Sequence, residues 1–239
     1  VLPSMQFPHP LIEARLVRRY KRFLADVLLA DGTETTVHCP NTGSMQGCRE
    51  PGARVWLSRA ENPARKYPLT WELVEARPGV LVGIHTGRTN GLVREAVERG
   101  LVSEWDQPRA VRTEVRYGAE KSRVDFVLEG DAGPRFVEVK NVTAAVEGGV
   151  AVFPDAVSTR GSRHLRELMG VYRQGADAAL VFCVQRSDVT EVRPADSIDP
   201  VYGQTLRAAI ELGVDVIALR AKVTPRRIAI DTRVPVVCP

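Results

Sequence analysis

Cysteine is scarce in this 239-residue chain: Cys39, Cys48, Cys183 and Cys238 are the only four, and no two form a CxxC pair. That argues against a disulfide framework or a zinc ribbon and for free, mostly buried thiols in a reducing cytoplasm. Long apolar runs are also missing. No stretch approaches the roughly 18 residues that a membrane helix needs, so no membrane span is expected. Residues 1–4 precede a Met5 that reads as a natural start, and no charged-then-apolar leader is visible. Internal repeats and low-complexity segments are absent. Lysine is rare as well, since only five of the 33 cationic side chains are lysine and the other 28 are arginine. The bias fits a GC-rich genome as well as it fits phosphate recognition. A formal net charge of +4 permits a polyanionic partner without demanding one.

What is present suits two modest domains. Hydrophobic content of 44% and charged content of 26% are ordinary for a globular chain of this length. The first 85 residues read as β structure, with segments around 11–29, 34–38, 53–58, 67–75 and 80–84. Turn pairs Asp31-Gly32, Pro51-Gly52 and Pro78-Gly79 punctuate them. Five strands, the first long and basic, predict a small closed barrel of the OB type over residues 5–85. After Asn90-Gly91 the period changes. Leu92, Val93, Ala96 and Val97 recur at helical spacing and Gly100 ends the helix. Strands follow near 112–117, 123–129 and 135–142. A helix spans about 160–174, with Ser158 or Thr159 as its cap and Leu165, Leu168, Met169 and Tyr172 as its apolar stripe. The run 178–185 has the continuous apolar character of a strand buried on both faces. A last helix near 202–212 stops at Gly213 before a strand over 214–220. This α-β-β-β-α-β-α-β order predicts a mixed sheet flanked by helices over residues 86–239.

The informative stretch is Ser-Arg-Val-Asp-Phe-Val-Leu (122–128), a turn, and Arg-Phe-Val-Glu-Val-Lys-Asn (135–141). Centring the turn between Asp131 and Ala132 sets Asp125 opposite Glu138, Val124 opposite Val139 and Phe126 opposite Val137. Lys140 then shares a face with Glu138. Two opposed carboxylates, about 5 Å apart at Cβ, repel one another. A divalent cation removes that cost, and Mg²⁺ (or Mn²⁺) suits one or two carboxylates completed by water and phosphate oxygens. The plain alternative pairs Asp125 with Arg123 or Arg135 and leaves Glu138–Lys140 as an ordinary same-face ion pair. The opposed aspartate and the order of elements favour the chemical reading, and the pattern resembles the PD-(D/E)xK nuclease fold. Asp125, Glu138 and Lys140 are its candidate catalytic set. Val124 stands where a proline usually precedes the aspartate. Many members of that fold add a glutamate from the first helix; Glu95 is the candidate third ligand, with an Arg99 ion pair as its bland alternative.

Two basic segments are candidates for DNA contact. In the first strand, Arg15, Arg18, Arg19, Lys21 and Arg22 interleave with Tyr20 and Phe23, the mixture by which OB folds hold nucleic acid. A solvated basic edge is the alternative. Arg160, Arg163 and His164 open the helix after the Lys140 strand, where backbone N–H groups favour a phosphate and arginine grips one bidentately; solvated arginines with a core-facing or capping His164 are the alternative. His38 and His85 read as structural.

Four stretches carry a wider resemblance: His-Cys-Pro-Asn-Thr-Gly-Ser-Met (38–45), Arg-Lys-Tyr-Pro-Leu-Thr-Trp-Glu (65–72), Val-Glu-Val-Lys-Asn-Val-Thr (137–143) and Phe-Pro-Asp-Ala-Val-Ser-Thr-Arg-Gly-Ser-Arg-His-Leu (153–165). With them the chain from Met5 onward resembles the sugar fermentation stimulation protein A family of prokaryotic DNA-binding proteins. The resemblance implies an OB-like domain, a nuclease-like domain, non-specific DNA binding and a regulatory role in sugar (maltose) metabolism, in the cytoplasm and on the nucleoid. A Mg²⁺-dependent DNA endonuclease is the alternative function. No sugar ligand is expected, because clustered arginines suit phosphate better than neutral hydroxyls.

Overall fold

The computed structural model describes residues 5–62, 64–120 and 122–239; residues 1–4, before Met5, lie outside the described residues. The N-terminal half is a closed barrel. Its strands are β1 (Ile12–Tyr20), β2 (Leu24–Leu29), β3 (Glu34–His38), β4 (Arg54–Arg59) and β5 (Leu69–Arg77), with β6 (Val80–Gly83) hairpinned onto β5. Hydrogen bonding runs β3-β2-β1-β4-β5, and a parallel contact between His38 and Thr70 closes the ring. Trp71, Leu16, Leu57 and Met45 fill the inside, and Cys39 and Cys48 lie buried among them. Burial pushes the Cys48 thiol up to about 11, as an inert core thiol requires.

The single long first strand of the sequence reading is corrected here. The chain reverses at Lys21 and Arg22, both in the left-handed region (φ 48° and 62°), so residues 11–29 form a hairpin of β1 and β2. Its polar tip carries no hydrophobic period to betray the turn, and Lys-Arg is not a usual turn pair.

The C-terminal half is a six-stranded mixed sheet in the order β14-β13-β11-β9-β8-β7. These strands are β7 (Ala110–Tyr117), β8 (Ser122–Gly130), β9 (Gly133–Val142), β11 (Asp177–Val184), β13 (Asp215–Val223) and β14 (Ile228–Val234). Strand β11 pairs in parallel with both β9 and β13, while the other pairings are antiparallel. As its apolar run predicts, β11 is buried on both sides. Ala179, Val181 and Cys183 face one cluster, and Ala178, Leu180, Phe182 and Val184 face the other. Helix α1 (Thr89–Glu98) covers the first face. Helices α2 (Thr159–Arg173) and α3 (Pro200–Leu212) cover the second. Ser158 caps α2 by accepting the Gly161 N–H at 3.0 Å. Of the expected α2 stripe, Leu165, Leu168 and Met169 are buried, but Tyr172 is 36% exposed and Val171 takes the inward place. A short parallel pair, β10 (Val150–Phe153) with β12 (Glu191–Pro194), and strand β14 have no counterpart in the sequence reading.

Among the contacts that join the halves, three bear on the start of α1. The first is at the chain start, where Phe7 packs in the α1-side core and Ile228 N–H bonds to Met5 O, so residues 5–7 lie against the C-terminal sheet and not in the barrel. The second is at β6, where the Gly83 N–H bonds to Gln185 O at 2.9 Å. A Cβ at Gly83 would lie 2.5 Å from Gln185 Oε1, so a larger residue there would force the Gln185 carboxamide to move. The third is an ion pair. Glu72 of β5, 1% exposed, accepts from Arg88 Nε at 2.7 Å and Nη2 at 2.6 Å. Arg88 immediately precedes α1 and stacks over Phe7.

Removing one partner of such a pair strands the other charge in the interior. Arg88→Ala is therefore expected to lower unfolding free energy in urea by about 3–5 kcal/mol. Arg94→Ala, which breaks an exposed i,i+4 pair with Glu98, should cost about 0.5 kcal/mol or less. Equal small losses for the two would contradict the role given to Glu72–Arg88.

Candidate metal centre and nucleic-acid interface

The β8–β9 hairpin has the predicted register. It pairs from Gly130↔Gly133 to Phe126↔Val137 and then stops, one step short of Asp125. On the other side of β8, pairing with β7 skips from Thr113↔Phe126 to Val115↔Val124, with Glu114 at φ 53°. Asp125 therefore stands where the sheet parts. Its Oδ2 accepts the Val139 N–H at 2.7 Å, occupying a donor that the ladder would otherwise use, and its Oδ1 accepts from Asn90 Nδ2 at 2.9 Å. The expected packing of Val124 against Val139 is not realised. Val124 lies in the core under α2 and Val139 in the core under α1, because the irregularity at Asp125 switches the faces.

Glu138 is 3% exposed. Its Oε1 accepts from Lys140 Nζ at 2.6 Å and makes a short contact with His164 Nδ1. Lys140 Nζ also lies 3.1 Å from His164 Nδ1. Arg160 Nε donates to His164 Nε2 at 3.3 Å, so these partners fit the imidazole tautomer with its proton on Nδ1. Burial alone would raise the Glu138 pKa, but the His164 hydrogen bond and the Lys140 charge outweigh it and hold the carboxyl below its ordinary value. Asp125 goes the other way. Burial, then the neighbouring Glu138 charge, raise its pKa against the hydrogen bonds from Val139 and Asn90. The two carboxyls are thus held apart in acidity, and Glu138 Oε2 is buried with no hydrogen-bond partner among the described residues. An orphaned carboxylate oxygen beside a second, electrostatically strained carboxylate suits a hard cation.

Asp125, Glu138 and Lys140 are thus brought together, and the plain alternative is half realised. The Glu138–Lys140 ion pair exists, but Asp125 pairs with neither arginine, and Arg135 is engaged by Asp177. Glu95 is corrected as a ligand. It accepts from the Met5 N–H and from Arg99, and no group of three or more potential metal-binding side chains occurs among the described residues. The α1 residue that reaches the centre is Asn90. Asn90-Gly91 reads as a turn in sequence, which hid it. Thr89, Asn141 and Gln185 were also missed. Fully buried Gln185 donates to Asn141 Oδ1 at 2.7 Å and to Thr89 Oγ1 at 3.2 Å, tying the start of α1 to the residue after Lys140. Only the run Glu-Val-Lys-Asn gave any hint of Asn141.

His164 is corrected too. At 2% exposure it belongs to the Glu138 centre and not to an open surface, while Arg160 remains exposed and Arg163 half-buried. Several barrel cations serve the fold. Arg15 donates to Gly52 O, Arg18 pairs with Asp26 at 2.8 Å, and Arg19 Nη2 binds the carbonyls of Arg22, Asn41 and Gly43. Tyr20 is likewise engaged, donating to Asp26 Oδ1. The hairpin tip keeps Lys21, Arg22 and a 49% exposed Phe23 facing solvent.

Family models match both halves: the SfsA N-terminal OB domain over residues 17–84 and the sugar fermentation stimulation protein RE domain over residues 87–227. The chain belongs to the sugar fermentation stimulation protein family. A homologue from Thioalkalivibrio sulfidiphilus is 60% identical over 227 residues, covering 95% of each chain. One from Geobacter metallireducens is 56% identical over 233 residues, covering 98% of this chain and 100% of the relative. Among solved structures, Pyrococcus furiosus SfsA in complex with Ca²⁺ superposes with a TM-score of 0.88 at 27% identity, over 99% of this chain and all of that one. The OB-like barrel and mixed sheet are thus features shared with a solved family member. No helix among the described residues is long and apolar enough to cross a membrane.

The raised Asp125 pKa has a thermodynamic sign. In the folded protein its ionised form is disfavoured, so above its folded pKa the metal-free protein carries a penalty that an uncharged amide removes. Asp125→Asn is expected to unfold at the same temperature as the parent or a few degrees higher in EDTA. With millimolar Mn²⁺ the parent should gain stability by mass action and Asp125→Asn should not. A variant that loses stability in EDTA and still gains it from Mn²⁺ would remove Asp125 from the metal centre.

Proposed function

We propose that this chain binds DNA through its phosphate backbone and hydrolyses it at a divalent-metal centre formed by Asp125 and Glu138, with Lys140 beside it. The observation that carries the reading is the buried, unpartnered Glu138 Oε2 at the point where β8 and β9 part around Asp125. The Ca²⁺ named with the Pyrococcus furiosus relative supports a hard oxygen-seeking ion at this family's fold. Mg²⁺ or Mn²⁺ bound here would polarise a phosphoryl oxygen and make water a stronger nucleophile.

The chain's own groups do the rest. Asp125 and Glu138 supply the ligand oxygens. Asn90 and the Val139 N–H fix the Asp125 carboxylate, as outer partners of metal ligands do. Lys140, anchored on Glu138, places a positive charge and a proton donor beside the attacked phosphate. His164 holds Glu138, to which Lys140 also donates, and is a positioning residue. Arg160 stands exposed at the N-terminus of α2, where its guanidinium and the positive end of the helix dipole can meet a phosphate. On the barrel, Lys21, Arg22 and Phe23 combine charge with an aromatic face on the loop between the first two strands, a loop that OB folds use for oligonucleotides.

A second reading keeps DNA binding and gives up hydrolysis, leaving a regulatory module for sugar (maltose) metabolism in the cytoplasm. It is favoured by the fact that both Asp125 oxygens already accept protein hydrogen bonds.

A cleavage assay on supercoiled, single-stranded and branched DNA with Mn²⁺ separates the two. The parent should nick at least one substrate, and Lys140→Ala should retain metal binding while losing about 10²-fold or more in rate. Affinity for duplexes should fall steeply with salt and vary little with sequence. No cleavage of any substrate by the parent leaves the second reading; undiminished nicking by Lys140→Ala points to a different site.

A further inference from the structure

One rung of the β7–β8 hairpin is built against its own electrostatics. Arg116 stands directly opposite Arg123, and both are exposed. Like charges in this position destabilise a strand pair. Other arginines along the same sheet margin are neutralised locally: Arg112 by Glu129, Arg109 by Asp131 and Arg166, on α2, by Glu120. Among the described residues no carboxylate forms an ion pair with Arg116 or Arg123. The two line a cleft of about 530 Å³ together with Tyr117 and Gly118. A Cβ at Gly118 would collide with Glu167, which holds the turn from behind by accepting the Ala119 and Glu120 N–H groups at 2.9 and 2.6 Å. The pair is therefore presented on a fixed turn.

Arg123 lies two residues before Asp125 on the same strand, about 7 Å along it. An anion seated between the guanidiniums would replace their repulsion with two charge-assisted, fork-shaped contacts, the geometry that suits phosphate oxygens. Proximity to Asp125 selects a phosphate of a strand that also reaches the metal centre.

We propose that Arg116 and Arg123 form a clamp for one backbone phosphate of the DNA strand entering the Asp125–Glu138 centre. This rests on the function proposed above. Neither arginine is a metal ligand, so the clamp can be tested without turnover.

The experiment is fluorescence anisotropy of a labelled 20-nucleotide duplex with the full chain in EDTA, repeated across a salt series. Arg116→Gln/Arg123→Gln is compared with the parent and with Arg173→Gln, an exposed position at the far end of α2. The double variant should bind more weakly at low salt, and its log K against log [salt] slope should be shallower by about 1–2. It should unfold at the parent's temperature or above, because a repulsive pair is gone. Arg173→Gln should keep the parent's slope. A double variant with the parent's slope and affinity overturns the clamp, as does a parent that binds no DNA. If the slope is lost but the parent cleaves no DNA with Mn²⁺, the clamp stands and only the nuclease reading fails.

Discussion

A carboxylate buried with one oxygen satisfied and the other open organises the C-terminal half of this protein. Burying Glu138 costs several kcal/mol of lost hydration unless its charge is matched. The chain matches half of it, placing Lys140 two residues along the strand and His164 on the helix that packs over it. Oε2 is left with a surrounding that no protein group completes. Asp125, a short way off on the adjoining strand, has its acidity weakened by burial and by that same charge. A structure optimised for stability alone would not keep both acids there. The opposing pKa shifts are what the proposed cation would relieve.

The geometry of the centre depends on elements outside it. Parting of β8 from β9 is what admits Asp125 to the Val139 N–H, and the irregular pairing with β7 at Glu114 is what turns it. Asn90 reaches Asp125 because α1 begins where it does, and α1 is pinned by Arg88 to Glu72 of the barrel. The Gly83–Gln185 contact and the Gln185 carboxamide hold the same corner from the other side. The barrel is thus joined mechanically to the Asp125–Glu138 centre through the start of one helix.

Much of this was legible in the residues. Alternation and turn pairs disclosed the barrel, helical period placed α1 to α3, and constant index sum across Asp131-Ala132 gave the hairpin register that brings Asp125 and Glu138 near each other. Three kinds of feature were not legible. Where a strand leaves its ladder, as β8 does at Asp125, periodicity of two fails, so the fate of Val124 came out differently. Where a polar turn uses unusual residues, as at Lys21-Arg22, nothing marks the reversal. Partner choice is the third, since Arg15, Arg18 and Arg19 look like free cations in sequence but are bonded to backbone carbonyls or to Asp26 from distant segments. His164 shows the same limit in reverse. Its position beside two arginines favoured phosphate contact over a core-facing ring, and the fold turned it inward onto Glu138.

The central claim is a divalent cation between Asp125 and Glu138, and anomalous diffraction from crystals soaked in Mn²⁺ tests it most directly. An anomalous peak is expected about 2.1 Å from Glu138 Oε2 and in contact with Asp125, lost in Asp125→Asn crystals. A Mn²⁺-saturated crystal whose peaks lie elsewhere, with Glu138 Oε2 still unliganded, would contradict it.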